Sequence, residues 1–213
     1  MQIVSINAAQ PATVEFDGDT VPTGIFKVPV QGKVPVTRYG IQGDTIVDQN
    51  VHGGLDQAIY LYHLEDYQWW SEQLGKPLTP GLFGENLTLS GLADITLVIG
   101  DRLTIGTVEL EITAPRTPCF KLAARMGDSG FAKKFAQAQR PGAYARVIHE
   151  GELQVGDNIT LWQTAEDFAS VVEVFVEWHK KDRSVEVLKR ALASPIAIVH
   201  REKLQQWHDE SIK

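Results

Sequence analysis

The distribution of glycine constrains this chain more than any other feature. All 18 glycines lie at or before Gly156, and none follows. Up to Leu161 the sequence is a series of short runs rich in β-branched and aromatic residues, with Gly, Pro and Asp between them. Such runs read as strands, here over 2–6, 24–30, 58–62, 86–89, 102–105, 108–113, 143–149 and 158–162. The pairs Gly43-Asp44, Gly100-Asp101 and Gly156-Asp157 each stand beside one of them. Regularly spaced short strands favour a β-barrel or sandwich over alternating βαβ units.

Helices interrupt the strands. Residues 64–74 end before Gly75 and carry Trp69 and Trp70, which pack the helix on the barrel. A second helix is expected over 117–126. A third spans 128–139, with Phe131 and Phe135 spaced i, i+4. After Leu161 the residues Glu, Lys, Arg, Val and Leu dominate, and the pattern predicts three short helices over 172–179, 184–193 and 195–210. Ser184 fits an N-cap, and Ser194-Pro195 fits a helix start with proline at the first position. His200 and His208 lie in the polar last helix and are expected in solvent. The chain thus divides into a mainly β domain, 1–163, and a small helical subdomain, 164–213.

A chain of 213 residues buries a proper core without staples. Its net charge of -7 argues against nucleic acid as the main partner, because phosphate binding needs a basic face. One cysteine cannot form an internal disulfide, which fits a reducing compartment. No signal-peptide pattern opens the sequence and no apolar run reaches membrane-spanning length, so a cytoplasmic protein is expected, with no membrane partner.

The single cysteine, Cys119, sits in Pro115-Arg116-Thr117-Pro118-Cys119-Phe120-Lys121. With Thr117 as N-cap and Pro118 at the first helical position, Cys119 falls at the second. There, unpaired backbone N–H groups and the helix dipole favour an anion. Arg116 and Lys121 add positive charge, and all three effects favour the thiolate. The segment alone leaves open an inert buried cysteine.

Three other places can carry chemistry. Val51-His52-Gly53-Gly54-Leu55-Asp56 is a loop in which adjacent glycines allow close backbone approach to a ligand, and His52 and Asp56 could move protons. Asp44, Asp48 and His52 are spaced by four. A metal site there needs a helix, and Gly43 with Ile46-Val47 argues against one. Glu85 and Asn86 stand at a loop-to-strand junction, where they brace a neighbouring loop or face a pocket. Arg146 lies in a predicted strand, where it reaches a phosphate or forms an edge salt bridge. No P-loop pattern or serine elbow occurs.

Taken in order, these segments resemble the MOSC domain family. The matching runs are Gly40-Ile41-Gln42-Gly43-Asp44, Val51-His52-Gly53-Gly54 through Ala58, Phe83-Gly84-Glu85-Asn86-Leu87, Gly100-Asp101, Pro115 to Cys119, and Gly142 to Val147. They cover roughly 20–162. The C-terminal helices resemble the three-helix appendage of the bacterial YiiM-like branch, which is linked to detoxification of N-hydroxylated bases such as 6-hydroxylaminopurine.

The resemblance implies a pseudo-barrel that holds molybdenum cofactor (molybdopterin), with Cys119 as the metal ligand. It implies reduction of an N-hydroxylated small molecule, with electrons from a separate flavoprotein reductase. On this reading His52 and Asp56 relay protons, and Arg116, Lys121 and Arg146 anchor the pterin phosphate. Gly53, Gly54, Glu85 and Asn86 line the cofactor site. The N-terminal barrel domain of the amidoxime-reducing members is absent, so pterin contacts made there do not transfer. An alternative is a non-catalytic carrier of cofactor or sulfur on Cys119. A metal-free cysteine hydrolase or transferase needs a base close to Cys119, and no adjacent histidine supplies one.

Overall fold

The computed structural model describes residues 1–47 and 54–211. The chain opens with strand β1 (Gln2–Ala8) and the hairpin β2 (Ala12–Phe16) and β3 (Asp19–Thr23). Short strands β4 (Val28–Pro29), β5 (Val34–Thr37) and β6 (Gly40–Ile41) follow, then β7 (Ile59–His63), helix α1 (Leu64–Leu74) and β8 (Leu87–Ser90). Next come β9 (Arg102–Ile105), β10 (Val108–Pro115), α2 (Phe120–Met126), α3 (Phe131–Ala138), β11 (Ala143–His149), β12 (Gly151–Leu153) and β13 (Ile159–Trp162). Helices α4 (Val171–His179), α5 (Val185–Ala193) and α6 (Ile198–Ser211) end the described chain.

Eight strands form one sheet in the order β13-β9-β10-β11-β7-β8-β1-β4. All neighbours are antiparallel except β7 and β8, which run parallel and are joined by α1. Parallel neighbours require such a crossover, so one βαβ unit sits inside an otherwise antiparallel sheet. The sheet curls until β1 meets the start of β13. Gln2 bridges Asn158, Ile3 N donates to Asp157 O (3.0 Å) and Ile159 N donates to Met1 O (3.1 Å). The ladder does not close continuously, so the molecule is a pseudo-barrel, mainly β with peripheral helices.

Period-two alternation decides which face each strand buries. In β9, Leu103 and Ile105 are buried while Arg102 points out and pairs with Glu109 (2.8 Å) and Glu111 (3.2 Å) of β10. Strand β7 is buried on both faces. Ile59 and Leu61 join an aliphatic core with Ile6, Leu89 and Ile112. Tyr60 and Tyr62 join an aromatic core with Tyr67, Trp70, Phe83, Phe131 and Phe135. The C-terminal helices contribute to both, through Leu188, Leu204 and Trp207 in the first and Phe175 in the second.

Several local expectations shift. The predicted strand 24–30 reduces to Val28–Pro29, because the chain turns at Ile25, whose carbonyl accepts from Lys27 N (2.8 Å). Helix α6 begins at Ile198, not at Pro195, and Ser184 does cap α5 through Val187 N (3.4 Å). His200 is 3% exposed rather than solvated. With Leu204 and Trp207 it forms the i, i+4, i+7 stripe that α6 turns inward, and its ring packs 4.8 Å from Trp178. His208 is largely covered as well. Trp70 is buried in the aromatic core as expected, while Trp69 is half-buried under the Arg140 guanidinium.

Gly142 shows how tightly the α3–β11 connection is held. Its φ is +64, and a Cβ there would lie 2.4 Å from Leu61 O and 2.7 Å from the Tyr62 ring. Neither neighbour can yield cheaply. Gly142→Ala is therefore expected to destabilise the fold by more than about 1 kcal/mol, measured as a lower denaturant midpoint with unchanged slope.

Candidate functional site

Where β10 ends, the chain leaves the sheet in an extended segment that carries Arg116 and Cys119 into α2. The residue before Pro118 is pushed towards extended backbone. Cys119 itself is extended (φ -128, ψ 174) and is the N-cap of α2, its carbonyl accepting from Leu122 N (3.0 Å). The expected helix start at Thr117 thus moves along by two residues, and Cys119 takes the N-cap position rather than the second helical one. Cys119 still stands at the start of a helix whose first-turn N–H groups lack intrahelical partners, though its side chain makes no capping hydrogen bond.

Cys119 is partly exposed and lines an open cleft. Thr23, Gly24 and Ile25 form one wall, with Phe83, Gly84 and Asn86 nearby. Tyr60 and Tyr144 come from paired positions on β7 and β11, with ring centroids 5.1 Å apart. Arg116, Lys121 and Lys27 supply three cations, and Gln57 supplies an amide. Beside the cleft Phe16, from the β2–β3 hairpin, stacks on Phe120 with centroids 4.0 Å apart.

The electrostatics centre on Arg116, which is 6% exposed. Its guanidinium lies over the rings of Phe135 (5.4 Å) and Tyr60 (5.6 Å). Its buried Nη1 has no hydrogen-bond partner. Burial opposes the charge, but Tyr60, Tyr144 and Cys119 more than offset this and raise the arginine above its usual value. Burial also pushes the phenols of Tyr60 and Tyr144 up, against the pull of Arg116. Both phenols therefore stay neutral at ordinary pH.

Lys27 is the cation that sequence reading missed. Burial lowers its pKa, and the carboxylate of Asp44 holds it against that effect. Asp44 also accepts from Ala9 N (2.8 Å) and Asn86 Nδ2 (2.8 Å). A lysine in the apolar run Ile25-Phe26-Lys27-Val28 was the available signal, since lysine is almost never buried without a partner. Tyr60, Tyr144 and Gln57 were missed too, the tyrosines inside runs that read as strands and Gln57 at the end of the His52 loop.

The other expected site residues are distributed as follows. His52, Gly53 and Asp48 lie outside the described residues. Gly54 starts the 3₁₀ turn Leu55–Gln57 with φ 71, away from the cleft lining. Asp56 does not line the cleft, because Arg146 binds its Oδ1 (3.1 Å) and Ile198 N donates to its Oδ2 (3.0 Å). Arg146 also binds Glu111 (3.3 Å) and Pro195 O (2.8 Å), so it links the sheet to the C-terminal helices. Asn86 lines the cleft with its amide engaged by Tyr60 N (3.0 Å) and Asp44. Glu85 is fully buried beside it. Its Oε1 accepts from Tyr67 OH (2.6 Å), Gly81 N (2.7 Å) and Thr88 Oγ1 (2.7 Å), which ties the 81–85 loop to α1 and β8. Burial raises the Glu85 carboxyl, and those three hydrogen bonds oppose the rise.

The residues present fit an anionic cofactor. Three cations and a thiol line one cleft, and an anionic oxygen would satisfy the orphaned Nη1 of Arg116. Among the described residues, no group of three or more His, Cys, Asp or Glu side chains could hold a metal ion unaided. No helix there is long and apolar enough to cross a membrane.

Comparison with known proteins agrees with this architecture. The family model "MOSC domain" matches residues 48–160. The uncharacterized protein YflK of Bacillus subtilis (strain 168) is 37% identical over 169 residues, 79% of this chain and 76% of that protein. Protein YiiM of Escherichia coli (strain K12) is 30% identical over 162 residues, 74% of this chain and 72% of that protein. A protein of Gibberella moniliformis (strain M3125 / FGSC 7600) named "Reductase" is 32% identical over 161 residues, 74% of this chain but 28% of that longer protein. The crystal structure of YiiM from Geobacillus stearothermophilus superposes with a TM-score of 0.80 at 30% identity, covering 97% of this chain and 98% of that one.

Glu85 acts here as a brace whose loss strands three donors. Glu85→Ala is expected to cost about 3 kcal/mol or more. Glu85→Gln, which keeps an acceptor oxygen, should retain most of that stability. Equal losses in equilibrium denaturation for both variants would remove the bracing role.

Proposed function

The chain belongs to the MOSC domain family, and from that premise we propose that its cleft binds molybdenum cofactor through Cys119 and reduces N-hydroxylated compounds such as 6-hydroxylaminopurine. The observation that carries the reading is the buried, unsatisfied Nη1 of Arg116 in the same cleft as the thiol. A protein that buries a cation with an unused donor leaves a place for an anion. The name of the Gibberella relative supports reduction as the chemistry.

The overall reaction is R–NHOH + 2 e⁻ + 2 H⁺ → R–NH₂ + H₂O. The bound cofactor supplies the two-electron exchange, and a separate flavoprotein supplies the electrons. Cys119 holds the metal as a thiolate, a soft ligand whose charge Arg116 stabilises. Arg116 and Lys121 hold the anionic part of the cofactor. Tyr60 and Tyr144, kept neutral by burial, form an uncharged aromatic wall. Lys27, with its pKa lowered by burial, presents a proton at Nζ towards the cleft, and Asp44 keeps it in place. Proton transfer through the His52 loop belongs to the same proposal. Asp56 serves it by holding Arg146 and α6.

The test is metal analysis and activity of protein made in a host competent for cofactor synthesis. Wild type is expected to carry molybdenum and to reduce 6-hydroxylaminopurine with reduced methyl viologen. Cys119→Ser should lose both. Arg116→Met should retain less than about a tenth of the cofactor at equal protein, in line with the loss of a charge-assisted hydrogen bond. Full molybdenum and full activity in Cys119→Ser would sink the reading, and molybdenum without any reduction by wild type would favour the carrier role.

A further inference from the structure

Strand β7 ends at His63, which is also the N-cap of α1, yet its side chain makes no capping hydrogen bond. His63 instead lines a second open cavity of about 370 Å³, large enough for a small organic molecule. Asp66 of α1 lines it too, with Gln139 and Arg140 from the connection between α3 and β11. Leu92, Leu97 and Val171 supply an apolar wall, and Val171 N donates to Leu97 O (2.9 Å), which fixes the start of α4 there. The cavity shares no lining residue with the cleft around Cys119. The two are neighbours through the backbone alone: Pro141, which lines the cavity, accepts from the hydroxyl of Tyr60, which lines the cleft (2.8 Å).

Charge and hydrogen bonding narrow what the cavity can hold. The carboxylate of Asp66 binds the Arg140 guanidinium through one oxygen, and its other oxygen lies 3.8 Å from His63 Nδ1. His63 Nε2 is buried and has no hydrogen-bond partner among the described residues. Burial lowers the pKa of His63; Arg140 adds to that effect, while Asp66 and Glu65 oppose it. The imidazole is therefore neutral at ordinary pH and carries one proton. The carboxylate beside Nδ1 favours the proton there, which leaves the lone pair on Nε2. A buried acceptor without a donor is costly, so Nε2 calls for an O–H or N–H. Asp66 and Arg140 are the charged residues of the described lining, and they cancel.

We propose that this cavity is a second ligand site, for a small uncharged molecule that donates an O–H or N–H to His63 Nε2 and lays an apolar body on Leu92, Leu97 and Val171. The site needs neither the cofactor nor electrons, so it stands apart from the reductase reading. An anion is disfavoured there by the lone pair of Nε2 and the carboxylate of Asp66, and a cation by Arg140.

The test is a titration of the cofactor-free full chain at neutral pH with three probes of one shape: phenol, toluene and benzoate. The ring signals of His63 are followed in ¹H–¹³C spectra and assigned by their loss in His63→Leu, or in His63→Gln where the leucine variant does not fold. Phenol is expected to shift these signals saturably. Toluene, which lacks the donor, should bind about tenfold more weakly, the worth of one hydrogen bond to a buried acceptor. Benzoate should also bind more weakly than phenol. Phenol should lower the pKa of His63 further, because only the neutral ring accepts its proton. In His63→Leu the preference for phenol over toluene should vanish. Toluene binding to wild type as tightly as phenol would reduce the site to an adventitious apolar contact and overturn the proposal. Tighter binding of benzoate than of phenol overturns it in favour of an anion site at Arg140. Unmoved His63 signals, or a His63 pKa raised by phenol, overturn it as well.

Discussion

The structure depends on a single strand that is buried on both faces. In β7, Ile59 and Leu61 pack into the aliphatic core of the curled sheet, while Tyr60 and Tyr62 pack into the aromatic core beneath α1 and α3. No other register is tolerable, because a slip of one residue would exchange aliphatic for phenolic side chains on both sides at once. The two hydroxyls then fix the next layer. Tyr60 OH donates to Pro141 O (2.8 Å) and Tyr62 OH to Arg140 O (3.1 Å), so the connection into β11 is set by the same residues that set the core. Trp70 Nε1 donates to Tyr62 OH (2.9 Å), which ties α1 to that point.

The cleft inherits its chemistry from this arrangement. Tyr60 is both a core residue and a wall of the cleft, and Arg116 lies over its ring. A guanidinium so deeply buried needs compensation from its surroundings. Among the described residues, the groups that favour its charge are the phenols of Tyr60, Tyr144 and Tyr62 and the thiol of Cys119. Lys27 has Asp44 beside it, and Asp44 also joins the N-terminal segment at Ala9 to the strand junction at Asn86. Together the pair and its hydrogen bonds stabilise the cleft wall as a unit.

Much of this was legible in the residues. Strands β9 and β11 and helix α1 fall where short β-rich runs and a glycine stop put them. Cys119, Arg116 and Lys121 do meet in one cleft, as their adjacency in sequence suggests. What escaped was set by contacts between distant segments. The apolar run around Lys27 reads as a strand, and only its tertiary partner Asp44 turns it into a wall of the cleft. The hairpin β2–β3 lies in a polar stretch, buries only Val14 and Thr23, and stacks Phe16 on Phe120. Arg146 and Asp56 carry residue types that suit a site, yet they serve as a clasp between sheet and helices. His200 illustrates the reverse case, a polar residue in a polar helix that the i, i+4, i+7 stripe turns inward.

The seam between Met1–Ile3 and 157–159 bears on how the molecule comes into being. Its hydrogen bonds join the two extremes of the barrel sequence, so the loop-closure entropy of nearly the whole domain opposes their formation. On a ribosome, β1 can find β4 and β8 early, but residues 157–159, its partners at the seam, emerge only after Cys119 and both tyrosines of the cleft have been made. For that interval the curled sheet is open along one side, and its aliphatic interior is shielded by the chain's own collapse alone. Synthesis thus places every described residue of the cleft lining on the chain before the segment that seals the barrel.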